Sequence, residues 1–156
     1  MRHYGVPTPG TAGAMARNER LIPASPERVF AVLADPDSYG HWVVGSDTIR
    51  GADDTWPAVG SRFHHRVGRF PLALNDHTEV IAMEPGRRLE LHAKARPLGT
   101  AHVALDLERR GDATLVTMTE DAGDRITRLV FNPLTHFLVK RRNDESLRRL
   151  AELATP

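Results

Sequence analysis

The stretch LVFNPLTHFLVKRRNDESLRRLAELA, Leu129 to Ala154, decides the fold, because it reads as one long helix and follows a series of short strands. Its apolar residues do not form a single stripe. At about 100° per residue, Val130, Phe131, Leu134, Phe137 and Leu138 cluster on one side, while Leu147, Leu150, Ala151 and Ala154 cluster roughly opposite. The polar run Lys140 to Ser146 lies between them. Two arrangements accommodate this pattern. Either Asn132-Pro133 starts the helix and its first half touches both loops and interior, or two halves bend apart near Asn143. The C-terminal half is then a firm lid on the preceding layer. The N-terminal half, after a break at Gly123-Asp124, is the gate.

The layer beneath is a sheet. Arg62 to Val67 alternates, with Phe63, His65 and Val67 on one face and Arg62, His64 and Arg66 on the other. Gly68-Arg69-Phe70-Pro71 is a hairpin connection, and Leu72 to Met83 is a long strand. Leu89, Leu91, Ala93 and Ala95 face in, against Glu90, His92 and Lys94. Ala101, Val103, Leu105 and Leu107 repeat the pattern between the turns Pro97-Leu98-Gly99 and Gly111-Asp112, and Leu115 to Asp121 is the last strand. Asp47 to Gly51 is a weak strand, and Trp56 to Gly60 is a turn.

Upstream, Ala16 to Ile22 is an edge strand. Ser25 suits a helix N-cap, Pro26 the first helical position and Glu27 the positive helix end, ahead of the apolar stripe Val29, Phe30, Val32 and Leu33. Asp35-Pro36-Asp37 ends that helix and opens another short one, Ser38 to Val43, carrying Tyr39, His41 and Trp42. The architecture expected is α+β: a strand, two short helices, a bent antiparallel sheet of six to seven strands in all, and one long C-terminal helix. A strongly twisted sheet of that size curls, so a helix across its concave face closes a cavity.

Composition sets outer limits. The chain has 156 residues, 40% hydrophobic and 26% charged, and a formal net charge of +1, so one domain spanning 15–156 is expected and no overall field attracts nucleic acid or membrane. There is no cysteine, which removes disulfides, thiolate nucleophiles and cysteine-based metal sites. Residues 1–14 are rich in Gly, Pro and Thr without hydrophobic period and read as a disordered tail. Met15, just before the first strand, reads as the natural start, which intact mass of the natively expressed protein would decide. No membrane-length apolar run and no signal-peptide core is present, so a cytoplasmic location is the default expectation.

Several local motifs resemble the START-like (SRPBCC) superfamily, in particular its bacterial polyketide cyclase/dehydrase-like members. They are Ile22-Pro23-Ala24-Ser25-Pro26-Glu27-Arg28-Val29-Phe30, Leu33-Ala34-Asp35-Pro36 with Trp42, Gly60-Ser61-Arg62-Phe63-His64-His65, Met83-Glu84-Pro85-Gly86-Arg87-Arg88-Leu89, and Ala113-Thr114-Leu115-Val116-Thr117-Met118. The resemblance spans about residues 16–154. It implies a helix-grip fold with an apolar cavity that binds lipid-, isoprenoid- or polyketide-like molecules, and in a few members a cyclase activity. These are scaffold motifs and carry no chemistry of their own.

The inward rows make Phe63, His65, Leu74, Leu91, Ala93, Val103, Leu105 and Met118 candidate ligand contacts, joined by Trp42, Phe137 and Asn143 from the helices. Asn143 is expected to be the polar residue nearest the gripped ligand. Leu72, Leu74, Asp76 and Thr78 share the face of His65 if the hairpin loop is regular, which puts His65 opposite Leu74 and diagonal to Asp76. Such a pair orients a ligand hydroxyl or serves as general base, and His65 and Asp76 are the candidate catalytic residues. A satisfied polar pair at the sheet edge is the bland alternative. Trp42 reads first as a core anchor. Glu120 either faces the interior with Val116 and Met118 or pairs with a surface arginine.

No metal is expected, because adjacent His64 and His65 point to opposite faces and no ligand spacing appears. No cofactor fingerprint, phosphate loop or nucleophile motif is present. Lys140-Arg141-Arg142 and Arg148-Arg149 read as a solvated face paired with Asp144, Glu145 and Glu152, with anionic-lipid docking as the alternative. The aromatics are too few and not interleaved with these charges, so nucleic acid is not an expected partner. Stable membrane insertion is not expected either, and oligomeric state is open. Two functions remain: binding of a small hydrophobic molecule in an internal cavity, or an aromatase/cyclase or dehydratase using a pocket acid–base pair.

Overall fold

The computed structural model describes residues 16–45, 48–67, 74–94, 99–122 and 133–156. The expectations for residues 1–15, for the hairpin at 68–71, for Leu72 and Ala95, for Pro97-Leu98, for the break at Gly123-Asp124 and for Leu129 to Asn132 fall outside them.

The chain runs β1 (Ala16–Ile22), α1 (Pro26–Leu33), a 3-10 turn (Pro36–Ser38), α2 (Tyr39–Trp42), β2 (Thr48–Ala52), β3 (Arg62–Val67), β4 (Leu74–Glu84), β5 (Arg88–Lys94), β6 (Thr100–Arg110), β7 (Ala113–Ala122) and α3 (Pro133–Ala154). The strands form one seven-stranded sheet of order β1-β7-β6-β5-β4-β3-β2, antiparallel at every pairing. The first strand therefore closes on the last, and the helices α1 and α2 leave one edge of the sheet and return at the other. This is the α+β helix-grip-like arrangement expected from the alternating rows.

Local chemistry accounts for the boundaries. Ser25 caps α1 by accepting from the Arg28 amide at 3.3 Å, and Pro26 occupies the first turn. The Glu27 carboxyl is held below its ordinary range by a backbone hydrogen bond, with Arg109 at 2.8 Å adding to it. Asp35 accepts from the Asp37 amide at 3.0 Å and so caps the 3-10 turn. Arg110 pairs with Ala113, leaving the two-residue turn Gly111-Asp112, and Gly111 takes the positive φ of 62° such a turn needs at its first position. Among the described residues the long helix runs from Pro133, and proline suits a first turn because it lacks the N–H that such a turn leaves unbonded anyway.

α3 is continuous through Asn143. The face bearing Asn143, Ser146, Leu147, Leu150 and Ala154 is buried against β1, α1 and α2. Leu147 and Leu150 join Ile22, Val29, Leu33, Tyr39, Trp42, Val80, Leu89, Leu105 and Val116 in a core of side chains no more than 1% exposed. Tyr39 is wholly enclosed: its hydroxyl donates to the Leu33 carbonyl at 2.8 Å, and burial pushes its phenol upward. Among the described residues no helix is long and apolar enough to cross a membrane.

The expectation that the first half of α3 turns its apolar side to the interior is corrected. Leu134, Phe137 and Leu138 are 66%, 58% and 53% exposed. They project from the side of the helix away from the buried face, because the polar residues Asn143 and Ser146, not the earlier apolar cluster, share the sheet-facing side with Leu147 and Leu150. Phe137 therefore does not line an interior.

Candidate functional site

The inner face of the sheet reads rung by rung across the strands. One rung runs Glu120, Val103, Leu91, Val80 from β7 to β4; the next runs Ala101, Ala93, Thr78, Phe63 and Ala52 from β6 to β2. Beyond it, β3 and β4 add His65 opposite Asp76. The Leu91 rung is solidly packed: Val80 is 0% and Leu91 5% exposed, with Leu89 and Leu105 below them at 0%. Ala93 and Ala101 share the inward parity of Leu91 and Leu105 yet are only half-buried, as is Val103. Inward-pointing residues that stay accessible are not fully covered by the side chains around them, so the space over this rung of small residues is partly open.

A polar group borders this space. His65 and Asp76 are 8% and 3% exposed, and Thr78 is 5% exposed. His65 Nε2 and Thr78 Oγ1 share a hydrogen bond of 3.1 Å. The sequence reading had His65 diagonal to Asp76; the two are direct partners instead. Val67 pairs with Leu74, not Leu72, so the connection is two residues longer than a regular hairpin over 68–71. A shift of two keeps every side chain on its own face, which is why the face assignment survives the change of register. The His65 ring rests 5.5 Å from Phe63, itself 4.9 Å from Trp56 and 4.8 Å from Tyr39, so the imidazole ends a line of packed rings rooted in the core.

Burial lowers the His65 pKa, and the field of Asp76 and a backbone hydrogen bond to His77 oppose that without reversing it. The imidazole is therefore neutral at neutral pH, next to a buried carboxylate and a hydroxyl. Such a group accepts or donates a hydrogen bond to a ligand hydroxyl or carbonyl and is free to take up a proton.

A second polar cluster joins α3 to the sheet. Glu120, 5% exposed, accepts from Arg142 at 2.5 Å and from the Asn143 amide at 2.8 Å, and Arg142 also donates to Asn143 Oδ1 at 3.1–3.2 Å. Asn18 on β1 donates to the Lys140 carbonyl and to Asp144 Oδ1, both at 2.9 Å. Both readings of Glu120 therefore hold: it faces inward and it pairs with an arginine.

The remaining sequence candidates separate. Leu91, Leu105 and Met118 point inward but are packed into the floor below the open rung. Leu74 lies in the ladder opposite Val67. Trp42, 1% exposed and 4.9 Å from Tyr39, anchors the core. Asn143 is on the inner side of α3, bonded to Glu120. His92 and His102 pair on the outer face, where His102 contacts Glu90 at 3.0 Å. Among the described residues no group of three His, Cys, Asp or Glu could hold a metal ion. Thr78 was placed on the face of His65 by the sequence but not among the candidate site residues; it is the residue that bonds His65. Nothing in the sequence pointed to Arg142 as the partner of Glu120. A separate surface groove of about 370 Å³, lined by Arg28, Val32, Asp35, Ser38 and Leu153, lies beside α1 at the other end of the sheet from His65 and shares no residue with this site.

Comparison with solved structures places the fold among known ones. The chain is similar to protein NE0264 from Nitrosomonas europaea, with a TM-score of 0.71 at 15% identity over 94% of this chain and 97% of that one. It is also similar to protein CV1439 from Chromobacterium violaceum, with a TM-score of 0.66 at 18% identity over 90% and 96%. A third likeness is to DynU16, a protein in the dynemicin biosynthetic locus, with a TM-score of 0.61 at 20% identity over 88% of this chain and 45% of that one. Among the curated proteins none matches. The family model described as polyketide cyclase / dehydrase and lipid transport matches residues 14–155. With nearly the whole chain matched and the helix-grip-like sheet beneath α3, this protein belongs to the polyketide cyclase/dehydrase and lipid transport family.

Proposed function

We propose that the protein binds a small hydrophobic molecule, lipid-, isoprenoid- or polyketide-like, against the inner face of its sheet. The observation that carries this is the rung Thr78, Ala93, Ala101, where residues of inward parity are small and two remain half-buried beside a buried His65–Thr78 pair. Apolar walls with a few convergent polar groups are what small-molecule sites are made of. The ligand's apolar body lies over Leu91 and Val103, and a hydroxyl or carbonyl reaches His65. The family description and the likeness to a protein of the dynemicin locus support a ligand of this class.

A second reading is favoured by His65 itself. A neutral imidazole between a hydroxyl and a buried carboxylate suits the removal of a proton next to a ligand carbonyl, the step that cyclisation or dehydration of a polyketide requires. Binding is the better-supported reading, since among the described residues no acid is positioned opposite this base.

Native mass spectrometry of the purified protein and a thermal-shift screen of neutral hydrophobic compounds test the proposal. Bound mass or stabilisation that His65→Ala weakens by about tenfold, the worth of one buried hydrogen bond, is the expected result. No stabilisation by any compound, or hits that ignore His65→Ala, refutes the assigned site.

A further inference from the structure

The basic run of α3 splits into two unlike halves. In the C-terminal half, Glu145 accepts from Arg148 at 2.7 Å and Arg149 at 3.0 Å, and Arg148 also pairs with Glu152. These bonds, that of Arg148 first, bring the Glu145 carboxyl down to about 2. Arg142 is committed to Glu120. Asp144, the acid nearest in sequence to the remaining cations, is bonded to Asn18. The side chains of Lys140 and Arg141 are exposed and have no acidic partner among the described residues.

Those two cations follow the exposed apolar side chains Leu134, Phe137 and Leu138, with Arg141 at helical spacing from Phe137 and Leu138 and Lys140 at helical spacing from Phe137. At helical spacing, Leu134, Leu138 and Arg141 fall on one stripe with Phe137 beside it, all turned away from the sheet. The direction of the helix gives the patch a place. Lys140 and Asn143 meet Asn18 and Glu120, and the C-terminal turns pack toward α1, so Leu134 to Leu138 extend beyond Glu120 toward the Ala122 end of β7. That is the end of the sheet at which Ala93 and Ala101 lie open.

We infer that the first two turns of α3 dock reversibly on an anionic lipid surface, with Leu134, Phe137 and Leu138 inserted among the acyl chains and Lys140 and Arg141 against the headgroups. Apolar side chains flanked by unpaired cations on one helix are what an interfacial helix presents. A symmetric dimer through the same stripe fits less well, because it brings two copies of Arg141 together in the contact. The inference needs no assumption about the ligand, although docking at the open end gives a hydrophobic molecule a short path from bilayer to sheet.

The test is sedimentation of the full-length protein with vesicles of phosphatidylglycerol and phosphatidylcholine, and with vesicles of phosphatidylcholine alone. Binding to the anionic vesicles is expected, with weaker binding to the neutral ones. Phe137→Ala weakens it about tenfold through lost apolar insertion. Lys140→Gln and Arg141→Gln weaken it about fivefold each. All three positions are exposed, so melting temperatures stay within about 2 °C of the parent and a folding defect is not mistaken for lost docking. Absence of binding to anionic vesicles, equal binding to both kinds, or binding unchanged in Phe137→Ala overturns the inference. So does a dimer in light scattering that Phe137→Ala dissolves.

Discussion

Replacing Arg142 by Gln measures how firmly α3 is tied to the sheet. Glu120 keeps only 6% of its side chain exposed, and Arg142 is 40% exposed. Removing one partner of a fully buried pair costs about 3–5 kcal/mol, whereas exposed pairs are worth at most about 1 kcal/mol. With one partner buried and the other half in water, the expected loss for Arg142→Gln is about 2 kcal/mol. Glu120→Gln retains a side chain that can meet Asn143 and frees Arg142 to solvent, so it should lose about 1 kcal/mol. The double variant leaves neither charge unpaired and should lose no more than Arg142→Gln alone, which gives a coupling of about 1–2 kcal/mol. Urea unfolding of the four proteins, followed by the emission of Trp42 and Trp56, supplies the cycle. A coupling below about 0.3 kcal/mol would mean that water already satisfies Glu120 and that the helix is held by apolar packing alone.

Acid should destabilise the fold in part through His65. Its folded pKa lies below the ordinary 6.5, so the unfolded chain binds the proton first. Stability is therefore level above that value and falls as pH drops below it toward the folded pKa. His77, also lowered by burial, adds to the slope, so His65→Gln should reduce the acid-side loss in urea without abolishing it, and an unchanged slope refutes the assignment. Tyr39→Phe removes the hydroxyl that donates to the Leu33 carbonyl at 2.8 Å, while the Trp56 indole remains 3.4 Å from the same oxygen. A loss of about 1 kcal/mol, seen as a drop of about 2–4 °C in melting temperature, is expected, and no drop would mean the hydroxyl bond adds nothing.

The alternation of Leu89, Leu91 and Ala93 against Glu90, His92 and Lys94 made the sheet legible, because a half-covered antiparallel strand imposes a period of two. The cap at Ser25-Pro26-Glu27 was legible for an equally local reason. The inward side of His65 and Asp76 followed from parity, but their direct pairing did not, since register depends on how many residues the connection takes up. The inward side of Asn143 and of the Leu147–Leu150 half of α3 was legible, but Phe137 was placed inward with them on hydrophobicity alone, although helical spacing carries it well round the helix from Asn143. What the sequence did not show is that Asn143 meets the buried carboxylate of Glu120, supplied from another strand. That partnership spans 23 positions and leaves no periodic trace.

The central claim, that the rung at Ala93 is open and receives a small hydrophobic molecule, is tested most directly by titrating naphthol into the wild-type protein and into Ala93→Leu. The account predicts saturable binding to the wild type and loss of about tenfold or more in Ala93→Leu, whose added side chain fills the space with a change in stability of less than about 1 kcal/mol. Failure of naphthol to bind the wild type, together with a destabilisation of Ala93→Leu by about 1–3 kcal/mol, would describe an already filled core and contradict it.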